Sequence, residues 1–382
     1  MRAAGAGSSS AAVGRSVDFD LHGLAGVRLV DASPGDVAAI RRQLGPIEAP
    51  LARGPDVVIR FVDRLESRGT LRYLGVDDAG FTDDGFLVLR GRHKTRARVE
   101  IPLDRIGEVP EITCERGLAA VPLLIPILNL TVLGRGALPL HASAFTVDGV
   151  GVVCTGWSKG GKTEALLGFM EAGAGYVGDE WVYVSPDGGR VYGIPEPIRV
   201  WAWYLDQLPR VRAGVGRGDR LRLGAIELFR SLEPVVAPSR SRWAGARAYR
   251  RLEPVLRRQL HVDLDPVPLF GQAASPGAGG FDRLFFVVSH ESEAVTVEPA
   301  DPAEVAARMA FSLRHERLDF MAFYLKLRFA FPERRSELVE RAESLEETRL
   351  REALADKETY EVRHPYPVSI AALHEALAPY CR

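Results

Sequence analysis

The chain has 382 residues, 46% apolar and 26% charged, with a net charge of -1. This is too long for one ordinary hydrophobic core and has the balance of a globular protein of two or three domains. The near-zero charge gives no reason to expect a nucleic-acid partner, and three cysteines in no metal-binding spacing argue against a disulfide framework or zinc site, in keeping with a reducing cytoplasm as the expected location.

Residues 1–16, "MRAAGAGSSSAAVGRS", lack the apolar core of a secretion signal and are expected to form a flexible tail. Residues 17–112 read as a β-rich N-terminal domain. "PDVVIRFVDRL" and "RARVEIPL" alternate apolar and polar residues, "GFLVLRG" follows the turn-rich "DDAGFTDD", and one helix is expected over Pro34 to Leu44. The stretch Gly117 to Gly134 is uncharged, but Pro122, Pro126 and Asn129 interrupt it, so a buried helix is expected rather than a membrane span.

Residues 113–300 read as a nucleotide-binding core. In "LPLHASAFTVDGVGVVCTG" two strand-like runs flank Asp148-Gly149, a dipeptide suited to a tight hairpin turn. "KTEALLGFMEAG" has helical spacing, with Ala165, Leu166, Phe169 and Met170 on one side; "YVGDEWVYVSP" reads as a strand pair and "GGRVYGIPEPIRV" as extended. From Arg199 to Arg258 arginine is dense, including Arg210, Arg217, Arg240, Arg242 and Arg257. A solvated face with loops is the plain reading there, and a basic binding patch the alternative. "AASPGAGG" reads as a loop and "RLFFVVSHE" as a buried strand. Asp301-Pro302 is a helix start that opens a helical C-terminal region, 301–382.

Gly156-Trp157-Ser158-Lys159-Gly160-Gly161-Lys162-Thr163 fits the pattern G-x-x-x-x-G-K-[ST] and stands between an apolar strand and an amphipathic helix, as a phosphate loop requires. Glycines let backbone N–H groups converge on phosphate oxygens, and the helix that follows adds its own unpaired N–H groups. Lys162 is expected at the outer phosphates and Thr163 on Mg²⁺. Lys159 either adds charge beside the phosphates or caps the loop in solvent. Trp157 is expected to pack against the arginine-rich segment rather than cover a nucleotide, and Glu164 is a first-turn residue suited to the helix dipole. Asp179-Glu180 follows one helix and one strand, where a parallel sheet would set it beside the loop. Asp179 is then the expected general base, and Glu180, with Asp179 and Thr163, the expected metal group.

"LHASAFTVDGVGVVCTGWSKGGKTEALL", "VGDEWVYV" and "VYGIPEPI" together resemble the catalytic core of the HPr kinase/phosphorylase family over Leu140 to Ile198. The resemblance implies an α/β fold related to phosphoenolpyruvate carboxykinase, with a mixed sheet and the phosphate loop at one end. It also implies catalytic, phosphate and metal positions for His141, Lys162, Thr163, Asp179 and Glu180. Glu180 and Lys159 stand where that family usually carries aspartate and glycine, and its E-[IV]-R-G signature is absent.

The function expected is an ATP- and Mg²⁺-dependent kinase acting on a hydroxyl. A serine of a peptide or small protein is the favoured acceptor, since HPr-kinase-like proteins include kinases of ribosomal peptide precursors such as lasso peptides. A small-molecule kinase and a non-catalytic nucleotide-sensing module are the alternatives. A GTPase is disfavoured because guanine recognition commonly uses N-K-x-D and the sole asparagine is Asn129. No membrane partner is expected, and a homo-oligomer stays open.

Overall fold

A computed structural model describes residues 16–66, 69–75, 78–90, 96–232, 244–271 and 277–381. The expected tail up to residue 15, Arg240, Arg242 and the Ala273 to Pro276 part of the expected loop lie outside the described residues. The chain divides into two units, one of Met1–Thr131 with Asp319–Arg341 and one of Val132–Leu318 with Ala342–Arg382.

The first unit is built on a sheet of β1 (Val17–Leu21), β2 (Ala25–Val30), β3 (Val57–Val62), β4 (Arg72–Leu74), β5 (Ala79–Phe81), β6 (Phe86–Arg90), β7 (Arg96–Glu100) and β8 (Glu111–Glu115). Their order is β1-β2-β3-β8-β7-β6-β5-β4. The alternation read in "VVIRFV" is real: Val57, Ile59 and Phe61 are buried and the residues between them are not. Helix α1 (Pro34–Leu44) has the expected bounds, because Ser33 and Asp36 close a capping box around Pro34 and Gly45 ends it. Helix α2 (Leu124–Gly134) occupies the uncharged stretch. No helix among the described residues is long and apolar enough to cross a membrane. Part of the expected C-terminal region packs here instead: Lys326 pairs with Asp78 at 3.4 Å and Arg334 with Asp104 at 2.9 Å.

The second unit contains β9 (Leu138–Val147), β10 (Val150–Gly156), β11 (Gly175–Gly178), β12 (Trp181–Val184), β13 (Arg190–Gly193), β14 (Ile198–Trp201), β15 (His261–Leu264), β16 (Ala278–Gly280), β17 (Arg283–His290), β18 (Thr296–Pro299) and β19 (Glu358–Pro365). The main sheet runs β16-β13-β12-β9-β10-β17-β19-β18, with β11 also on β9. Two of the expectations meet a difference here. The end of "AASPGAGG" is strand β16 rather than loop, since Gly279 and Gly280 pair with Val191 and Arg190. The C-terminal region also contributes a strand, β19, parallel to β17. Asp148 (φ 49) and Gly149 (φ 89) make the left-handed turn between β9 and β10 that their identities suggested.

The sheet is buried on both faces. Phe145, Cys154, Phe285 and Val287 meet helix α3 (Lys162–Glu171) and the helix Ile370–Leu377 on one side. Ala142, Ala144, Val153 and Phe286 meet the helices Pro302–Glu316 and Glu337–Leu354 on the other. Cys154 is thus a small core residue, and Cys114 and Cys381 are buried as well. The arginine-rich segment forms helices Arg217–Ser231 and Ala244–Arg257 between the paired strands β14 and β15. Some of its arginines are braces: Arg199 forks onto Asp263, and Arg222 donates to the carbonyls of Gln259 and His261.

Candidate functional site

Strand β10 ends at Gly156, and α3 begins at Lys162 behind Gly161, whose φ of 104 lies in the region that favours glycine. A side chain at Gly161 would also collide with the protein, since its Cβ would stand 2.3 Å from His364 Nε2. His364 comes from β19, is fully buried, and holds the loop from behind with Nε2 2.6 Å from the Gly160 carbonyl. The Ser143 hydroxyl on β9 donates to the Lys162 carbonyl at 2.8 Å and fixes the first turn of α3 to the sheet. Lys162 itself is 6% exposed and donates from Nζ to the Trp157 carbonyl at 3.0 Å. Burial pulls its ammonium below the usual lysine range although Glu180, Asp179 and Glu316 favour the charge.

The carboxylates arrive by a break in one strand line along β9. Strand β11 pairs antiparallel with Ala144 to Thr146, and β12 pairs antiparallel with Leu138 to His141. Between them Asp179 and Glu180 leave the ladder, with Glu180 at φ 62, a strained conformation for a large residue. The expected parallel sheet is therefore not what sets them beside the loop; an interrupted antiparallel line does. Asp179 is 2% exposed and accepts a hydrogen bond from the Thr163 hydroxyl at 3.0 Å. Burial, then the charge of Glu180, pushes its carboxyl up to about 7.

Glu180 has a side chain 51% exposed and lies 3.0 Å from His141 Nε2. That hydrogen bond holds its carboxyl below the usual range, outweighing the partial desolvation of the site. On the far side of the ring, His141 Nδ1 lies 3.0 Å from Glu316 Oε1, and Trp181 stacks on the ring at 5.6 Å. Burial opposes the imidazolium, but the hydrogen bond to Glu180 and the Glu316 carboxylate close to Nδ1 outweigh it and raise the His141 pKa.

His141, Lys162, Thr163, Asp179 and Glu180 thus come together from β9, α3 and the β11–β12 break. Glu164 is buried, 8% exposed, and burial raises its carboxyl pKa. Lys159 is exposed, with φ 62. Trp157 differs from expectation: it stacks on His315 at 4.8 Å rather than on the arginine-rich segment. Sequence reasoning missed His315 and Glu316, which sit at the end of a helix with no motif to mark them, and His364, which is distant in the chain. It also passed over Glu196 in "GIPEPI". One Glu196 carboxylate oxygen is buried with no hydrogen-bond partner. Its pKa is driven well above the ordinary range by burial and by the charges of Glu180 and Asp179.

This donor set suits a hard cation that keeps water and phosphate ligands: a hydroxyl, two adjoining carboxylates and an orphaned carboxylate oxygen nearby. It is not a complete protein cage, since no group of three or more His, Cys, Asp or Glu among the described residues converges as one. Compared with known proteins, the chain matches no protein-family model and no curated sequence.

Proposed function

We propose that the second unit is an HPr-kinase-like phosphotransferase core that moves the γ-phosphoryl group of ATP to a hydroxyl, in the favoured case a serine of a peptide or small protein. The observation that carries the reading is the 3.0 Å contact between Thr163, the last residue of the phosphate-loop pattern, and Asp179. It joins the expected phosphate cradle to the expected acid pair in a buried corner. The amides of the loop and of the first turn of α3 face the phosphates, and Lys162 turns from the Trp157 carbonyl to their outer oxygens.

Thr163 and Asp179 would hold Mg²⁺, which supplies charge neutralisation for the transferring group when bound. The exposures favour a division of labour opposite to the one read from sequence. Asp179, buried behind Thr163, suits the metal; Glu180, half exposed and oriented by His141, suits the acceptor. The acceptor oxygen forms its bond to the γ-phosphorus as the bond to the bridging oxygen of ADP breaks, and the hydroxyl proton passes to Glu180. Glu316 keeps His141 in register behind it.

The test is mass spectrometry of candidate serine peptides and small proteins after incubation with MgATP. Wild-type protein adds one phosphoryl group to its acceptor and Lys162→Ala adds none. Glu180→Gln still binds MgATP but loses transfer by at least about a hundredfold. Transfer that persists in Glu180→Gln removes the carboxylate from the acceptor role.

A further inference from the structure

The loop has a second side. In the sheet, β9, which carries His141 and pairs with the two strands on either side of Asp179-Glu180, flanks β10 on one edge, and β17 flanks it on the other, parallel to it. At the carboxyl ends of these two parallel strands, where α/β sheets bind ligands, a cavity of about 460 Å³ opens between the loop, β17 and the helix Pro302–Glu316. That volume is in the range of small-ligand pockets. Two large rings line it in the open: Trp157 is 52% exposed and Phe311 is 61% exposed. Trp157 is backed on His315, with the rings 27° apart, so its position is held while much of its surface stays in solvent.

Two polar groups of the wall, Arg308 and Ser312, are already engaged. The Arg308 guanidinium lies 4.3 Å over the Phe286 ring and donates to Glu361 at 2.9 Å, and the Ser312 hydroxyl donates to the Gly156 carbonyl at 3.4 Å. The Arg314 guanidinium stands 5.5 Å over the Phe311 ring, yet both rings stay largely exposed, so this wall offers aromatic surface directly beside the phosphate-loop pattern.

We infer that this cavity takes the nucleoside of the phosphoryl donor and that a purine ring is recognised chiefly by stacking on Trp157 and Phe311. The inference rests on the nucleotide reading above and adds a direction to it. The nucleoside lies on the β17 side, the triphosphate crosses Gly160 to Thr163, and the transferring end meets Asp179 and Glu180 on the β9 side. An aromatic face worth one base stack corresponds to about tenfold in affinity.

The experiment is calorimetric titration of the full chain, with Mg²⁺, by ATP, UTP and inorganic tripolyphosphate. ATP is expected to bind at least about tenfold tighter than tripolyphosphate, with UTP between them. Trp157→Ala and Phe311→Ala should each weaken ATP about tenfold and tripolyphosphate less than about twofold, with Trp157→Phe restoring most of the loss. Both positions are exposed, so the variants should fold, which circular dichroism checks. If ATP, UTP and tripolyphosphate bind alike, or if both alanine variants bind ATP like wild type, the nucleoside pocket is wrong and the phosphate loop stands. If neither ATP nor tripolyphosphate binds, the nucleotide reading and the pocket fall together.

Discussion

At Gly161 two independent constraints meet: a left-handed φ of 104 and a His364 ring where a methyl group would go. Gly161→Ala should therefore displace His364 from the Gly160 carbonyl and turn the loop amides away. The expected result is at least a tenfold loss of ATP affinity with helix content unchanged by circular dichroism, the backbone strain alone costing roughly 1–3 kcal/mol. Asp179 gives a pH test. Its folded carboxyl titrates at about 7, well above the usual aspartate value, so the unfolded chain ionises first as pH rises. The group's contribution to stability is full below the unfolded value and is lost as pH climbs through 7.

Asp179→Asn removes that penalty. Without metal or nucleotide, its stability gain over wild type should be larger at pH 8 than at pH 5, by about 1–3 kcal/mol in urea melts. Equal gains at both pH values would mean that Asp179 is not held in a charge-disfavouring site. Gly160, Gly161, Lys162 and Thr163 were legible in the sequence as one local pattern, and they lie together in the turn between β10 and α3. His364, Glu316 and Glu196 were not, since each reaches the site from a separate element through packing that leaves no spacing in the chain.

Elements follow the same division. The β9–β10 hairpin and helices α1 and α3 could be read from turn residues, caps and periodicity, all short-range signals. Strand partners could not: the run "YVG" looks the same whether it pairs parallel or antiparallel, and it pairs antiparallel with β9. The helix Pro302–Glu316 illustrates what fixes an element once packing is known. Just past its end, Arg317 makes an ion pair with Glu346 in which the side chains are 10% and 7% exposed. Arg317→Met would leave a buried carboxylate unpaired. It should cost about 3–5 kcal/mol by chemical denaturation, and the double change with Glu346→Leu should recover most of that. No recovery would show that the pair is not an isolated ion pair and is tied to further partners. The same single change should loosen His315 and Glu316 and so weaken ATP binding beyond its effect on folding.

For the molecule as a whole, length led to an expectation of two or three domains with a β-rich stretch over residues 17–112, and the structure divides into two compact units. The assignment of Asp319–Arg341 to the first unit was not legible, because amphipathic helices show that they pack but not on what. In the proposed function, the loop of the second unit would cradle a triphosphate against the Asp179–Glu180 pair. The most direct measurement is calorimetric titration of MgATP into wild-type protein and into Lys162→Ala and Thr163→Ala. Saturable one-to-one binding in the wild type, weakened at least about tenfold in each variant, is the result predicted. No heat with any nucleoside triphosphate, or equal affinity in all three proteins, would contradict it.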